Sequence, residues 1–95
     1  MTRLLTQHPE GKQGVRIERA VYDDMKRALL RAIGRGRTGV PFKELPARLA
    51  EHLSDELFEG RSVTWYCVTV KLDLEARGVL ERVPGARPQR VRRVQ

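Results

Sequence analysis

The stretch SVTWYCVTVKLDLEARG, Ser62 to Gly78, constrains this chain more than any other. Val63, Cys67, Val70 and Leu74 recur at steps of four, three and four residues, the period of a helical stripe that faces a core. Ser62 supplies an N-cap oxygen and Gly78 a C-terminal stop, so the sequence predicts a helix bounded by those two residues. On the other side, Trp65, Val68, Leu72 and Ala76 form a second apolar stripe. A helix that is apolar all round is a buried one, so this segment should be sandwiched between its own core and a further layer.

Only one modest core is available for it. The chain has 95 residues, and a domain of this size buries only roughly 60–65% of its unfolded surface. An apolar fraction of 40% with 33% charged residues is that of an ordinary globular domain, not of a disordered tail. No apolar run approaches the roughly 20 residues of a membrane span, and the opening MTRLLTQHPEG lacks the apolar centre of a secretion signal. These features predict a cytoplasmic protein with no membrane partner. The single cysteine, Cys67, lies on the inner stripe and reads as a small core residue.

Residues 1–14 contain Pro9, Gly11 and Gly14 and keep no period, so they read as an N-terminal arm that Leu4 and Leu5 can anchor, with 15–95 as the folded domain. A first helix is predicted from about Ile17 to Ile33 on Val21, Met25, Ala28, Leu29, Ala32 and Ile33. Asp23 and Arg27 sit four apart on its exposed side, and Gly34 caps it. Val40, Pro41 and Phe42 offer a short extended piece. A second helix follows over Lys43–Leu53, with Pro46 tolerated in its first turn, and then a connector, SDELFEGR, whose Leu57 and Phe58 reach the core. Beyond Gly78, the runs VLERV and RVRRV flank the turn PGARPQ and read as a two-stranded antiparallel hairpin. The predicted fold class is α+β, mainly α.

The run KLDLEARGVLERVPGARPQRVRRV, Lys71 to Val94, resembles the winged-helix superfamily. There the third helix ends in a Leu-Glu-x-x-Gly-hydrophobic-hydrophobic pattern and enters a hairpin called the wing; Leu74, Glu75, Gly78, Val79 and Leu80 occupy those places. TWYCVTVKLDLEARG is also similar to the same region of small bacterial winged-helix proteins of no settled function. The resemblance covers about Ile17 to Val94. It implies three helices, a short strand between the first and second, and a C-terminal two-stranded wing. It also implies a third helix in the major groove and a wing on the backbone, which would make Thr64, Thr69 and Lys71 the donors offered to base edges.

The residues themselves argue against base reading. Trp65, Val68 and Leu72 occupy the face a groove would meet, and the Arg, Asn or Gln side chains suited to base edges are missing from it. Between Glu44 and Glu59 five acids face only Arg48, which adds repulsion. The cations lie elsewhere. Nineteen Lys and Arg, fifteen of them Arg, against twelve acids leave a formal charge of +7. Lys26 to Lys43 holds six cations and no acid, and Arg82 to the end holds five arginines and no acid. Arg87, Arg90, Arg92 and Arg93 of the hairpin suit phosphate oxygens, giving salt-sensitive, sequence-tolerant contact with DNA. The loop GRGRTG lacks the Gly-Lys-Ser/Thr close of a nucleotide loop and follows a helix, so it reads as a cap and turn, with Arg35 and Arg37 open to backbone phosphate.

Two readings of function remain. In the first the chain binds nucleic acid through wing and loop, as an accessory transcriptional regulator. In the second it is a winged helix used for protein interaction or homodimerisation, with Trp65, Val68 and Leu72 at the interface and the wing arginines as a solvated edge that discourages aggregation. The second apolar stripe is covered either by the arm, through Leu4, Leu5 and Val15, or by a twofold-related copy; the arm has few apolar residues, which favours the copy. His8 and His52 have no partner at ligand spacing, and no nucleophile, base and orienting group can be assembled. The sequence predicts no enzyme, metal site or cofactor.

Overall fold

In the computed structural model, which describes residues 2–95, the chain opens with a hairpin. Strand β1 (Arg3–Leu5) pairs antiparallel with β2 (Arg16–Glu18), with Leu4 opposite Ile17. Below this pairing the Thr6 amide donates to the Val15 carbonyl at 2.9 Å, and the Val15 amide to Thr6 Oγ1 at 2.9 Å. The arm expected over residues 1–14 is therefore corrected, with Met1 outside the described residues: this segment is one leg of a hairpin, and the boundary placed at residue 15 falls inside it. The close approach depends on Gly14, where a Cβ would lie 1.7 Å from the Thr6 carbonyl oxygen.

Helix α1 (Arg19–Ile33) buries Val21, Tyr22, Met25, Ala28, Leu29 and Ile33. It begins two residues later than Ile17, because Ile17 is used in β2. The Gly34 amide donates to the Leu30 carbonyl at 3.0 Å and closes the helix. Arg27 does not pair with Asp23; it turns to Asp24 and to the His52 carbonyl.

Strand β3 (Val40–Pro41) leads through a 3-10 turn at Phe42–Glu44 into α2 (Leu45–Leu49). This helix is shorter than the expected Lys43–Leu53. At its end, Asp24 takes the Ser54 amide at 2.8 Å and Arg27 takes the His52 carbonyl at 2.9 Å, so α1 draws the chain out of helical geometry. The connector folds into a further short helix, α3 (Asp55–Phe58), capped by the Ser54 hydroxyl on the Leu57 amide at 3.3 Å. Among the described residues there are four α-helices, not the expected three.

Helix α4 (Val63–Ala76) is capped by Ser62 Oγ accepting from the Trp65 amide at 3.1 Å. Gly78, at a φ of 78°, turns the chain so that the Val79 amide donates back to the Leu74 carbonyl at 2.8 Å. Strand β4 (Leu80–Arg82) and β5 (Arg90–Arg93) then pair antiparallel, with Glu81 opposite Arg92. The expected two-stranded ribbon gains a third member: β3 pairs with the other edge of β5, giving the order β3-β5-β4. The core lies between α1, α2, α4 and this sheet, at Met25, Leu29, Leu45, Leu49, Cys67, Val70, Leu74, Leu80 and Val91. Among the described residues no helix is long and apolar enough to cross a membrane.

Candidate nucleic-acid interface

The two basic segments meet on one face. Arg90 in β5 donates through Nε to the Thr38 carbonyl and through Nη2 to the Gly39 carbonyl, both at 2.8 Å. Arg92 donates to Glu81 Oε2 at 2.6 Å and to the Arg37 carbonyl at 3.2 Å. Arg37 answers with a bond to the Arg93 carbonyl at 3.0 Å, and its guanidinium lies 3.6 Å from Glu81. Arg93 donates to the Leu30 carbonyl in the last turn of α1, where a cation also meets the negative end of the helix dipole. The Gly34–Gly39 loop is thus stitched to the sheet by arginines.

These bonds divide the expected phosphate ligands into two groups. Arg90 and Arg93 bond only to backbone carbonyls and act as fasteners, with Arg93 Nε buried and without a partner among the described residues. Arg37 and Arg92 are instead shared with Glu81, and both are bonded to a carbonyl as well; all four retain further N–H groups, since a guanidinium carries five. Arg35 and Arg87 are exposed, and no side-chain hydrogen bond or ion pair among the described residues involves them. The loop and the hairpin thus each carry an exposed guanidinium, Arg35 and Arg87, in addition to the arginines that join them.

The outer face of α4 has a different character. Thr64 is exposed, Trp65 is 46% and Val68 37% exposed, while Thr69 and Leu72 are half-buried. The Trp65 ring stands edge-on to Tyr66, with centroids 4.8 Å apart. Trp65, Thr69 and Leu72 share a cavity of about 180 Å³ with Thr6, Gln13 and Val15 of the first hairpin. The hairpin thus flanks the C-terminal half of the second stripe and leaves Trp65 and Val68 open.

Lys71 is corrected outright. It is 2% exposed, its Nζ lies 3.2 Å from Glu75 Oε2, and it sits 4.7 Å from the centroid of the Phe42 ring. Burial lowers its ammonium pKa from the ordinary lysine value, against the opposing pull of Glu75. It cannot reach a groove. Its position four residues after Cys67 puts it on the core side of the helix, a signal the sequence carried.

A second cluster escaped sequence reasoning. Asp73 is fully buried and accepts from the Tyr22 hydroxyl, from Arg77 Nε at 3.0 and 2.9 Å, and from the Gln7 amide at 2.8 Å. It joins α1, α4 and the first hairpin. Burial, then the bond to Asp73, raises the Tyr22 hydroxyl far above the usual tyrosine range. The Asp73–Arg77 spacing of four was visible; the partners from Tyr22 and Gln7 were not. With its oxygens taken, this carboxylate is structural. Burial also pushes the Cys67 thiol up to about 11, away from thiolate reactivity. Among the described residues no three His, Cys, Asp or Glu side chains converge as metal ligands.

No curated protein and no solved structure gives a significant match to the chain. A family model described as a family of unknown function, DUF6958, matches residues 3–91, from the first strand into the last, and the chain belongs to that family.

Proposed function

We propose that the protein is a winged-helix type of nucleic-acid-binding module, an accessory regulator that grips the phosphate backbone with the face built from the Gly34–Gly39 loop and the C-terminal hairpin. The observation that carries this reading is the stitching of that loop to β5, which brings Arg37 and Arg92 together on a single acid, Glu81, in the same loop and hairpin that carry the exposed Arg35 and Arg87. The junction of β3 with β5, and of α4 with β4 through Gly78, supports the winged-helix assignment. Because α4 presents Trp65 and Val68 outward and holds Lys71 inside, contact is with backbone and not with base edges.

Two or three phosphate contacts would weaken binding to a mixed-sequence duplex about ten- to fortyfold between roughly 50 and 200 mM salt. Arg35→Glu combined with Arg87→Glu should remove most of it while leaving the fold intact, since neither side chain holds the structure together. Affinity indifferent to both salt and the double substitution rules the reading out.

The open half of the α4 stripe favours a second reading, a twofold homodimer through Trp65 and Val68. Sedimentation of the wild type and of Trp65→Ala tests it. A wild type that is monomeric at every concentration removes this reading.

A further inference from the structure

One cavity lies away from the basic face. It is an open groove of about 660 Å³ between the end of α2, α3 and the start of α4. Its floor is apolar, made by Ala50, Leu53, Phe58 and Val63, and its rim carries Asp55, Glu56 and Glu59. Of the twelve acids in the chain, Glu10, Glu51, Asp55, Glu56 and Glu59 have no Lys or Arg within ion-pair distance among the described residues, Glu51 facing only His52. Three of those five border one groove, in a protein with an excess of arginine.

Helix stability accounts for part of this. Asp55 and Glu56 occupy the first turn of α3, where a carboxylate is favoured by the dipole. Glu59 lies past the last turn and gains nothing from it. Among the described residues no three His, Cys, Asp or Glu side chains converge as metal ligands, and a phosphate backbone would be repelled. An apolar floor with an uncompensated anionic rim matches one kind of ligand best, a side of a helix that carries leucine-like residues flanked by lysine or arginine.

Among the described residues no helix of that kind is free to serve a second copy. The exposed side of α1 has charge without large apolar residues, and that of α4 has Trp65 and Val68 without free cations, since Lys71 is buried. We infer that the groove between α2, α3 and α4 docks a short basic amphipathic segment of a partner protein. Asp24, which fixes the Ser54 amide beside the groove, precedes Gly34 by ten residues of α1 and its cap, or about 15 Å along the helix. Groove and arginine face thus lie beyond a Debye length of each other, about 10 Å at 0.1 M salt, and can be occupied together.

The test uses the intact protein and a display library of helical peptides with randomised faces. Enriched sequences should be net positive with a leucine- or phenylalanine-rich side. A synthetic peptide of the enriched sequence should shift the amide signals of Leu53, Asp55 to Glu59 and Val63. Glu56→Gln with Glu59→Gln should weaken that peptide roughly fivefold or more, while duplex affinity changes less than about twofold. Both residues are exposed, so an unaltered spectrum elsewhere shows that the variant is folded. The inference is overturned by any of four results: no enrichment, enrichment of uncharged or acidic peptides, shifts centred on Trp65, or equal affinity in the double variant. Concentration-dependent shifts at the same amides without peptide would also overturn it, by giving the groove to a second copy.

Discussion

With Asp73 at zero exposure and both its oxygens engaged by Tyr22, Arg77 and the Gln7 amide, truncating it strands three donors in a place water does not reach. Asp73→Ala should cost about 2–4 kcal/mol, read from urea unfolding. A loss below about 0.5 kcal/mol, the scale of a plain surface change, would show that the anchor is idle. Cys67 gives a prediction in pH. Its thiol is pushed up to about 11 in the fold from its ordinary value of 9.0, so the unfolded chain ionises first and stability falls as pH rises through that window. Tyr22, also raised, adds a loss that begins above its ordinary value of 10.0. Lys71 works the other way: its folded pKa is lowered, the unfolded chain binds the additional proton, and stability recovers as pH climbs toward 10.5. Comparing wild type with Cys67→Ala isolates the thiol. Relative to the variant, the wild type should lose about 2 kcal/mol between roughly pH 8 and 11, and parallel curves would refute the assignment.

At the scale of elements, the first hairpin depends on a contact only glycine allows. A methyl at Gly14 would meet the Thr6 carbonyl oxygen at 1.7 Å, so Gly14→Ala must separate β1 from β2. Amide exchange at Thr6 and Val15 should speed up to the rate of exposed backbone, while α1 and the β3-β5-β4 sheet keep their protection. Unchanged exchange at those two amides would contradict the pairing. The same hairpin shows why some elements were legible in the sequence and others were not. Helices α1 and α4 have long apolar periods and side-chain or glycine stops, and the C-terminal hairpin has proline and glycine punctuation, so each was predicted to within a few residues. Three-residue strands such as RLL and RIE are too short to display an alternation, and their pairing rests on Gly14 and on an Asp73 bond across the fold. The early end of α2 was equally hidden, because Asp24 and Arg27 of α1 impose it from outside. For the candidate site, the arginines could be counted but not sorted. The acceptors that occupy Arg90 and Arg93 are the carbonyls of Thr38, Gly39 and Leu30, and a backbone carbonyl leaves no mark in a sequence.

For the molecule as a whole, that sorting means the +7 charge is not one undivided field. Some arginines fasten the loop and sheet, some neutralise local acids, and others, such as Arg35 and Arg87, are exposed without a partner among the described residues; three of the unpaired acids border the groove beside α3. Stability and polyanion binding should therefore respond to different arginines. Arg90→Ala removes two bonds to carbonyls and should lower unfolding free energy by about 1–3 kcal/mol, with duplex affinity of the molecules still folded little changed. Arg35→Ala should leave stability within about 0.5 kcal/mol yet reduce the slope of affinity against salt by about one phosphate contact. The two substitutions, followed by thermal melts and salt titrations in parallel, should give opposite patterns. If Arg90→Ala instead weakened duplex binding as much as Arg35→Ala without touching stability, β5 would be presenting its arginines to the ligand, and the bonds that stitch the loop to the sheet would not persist in solution.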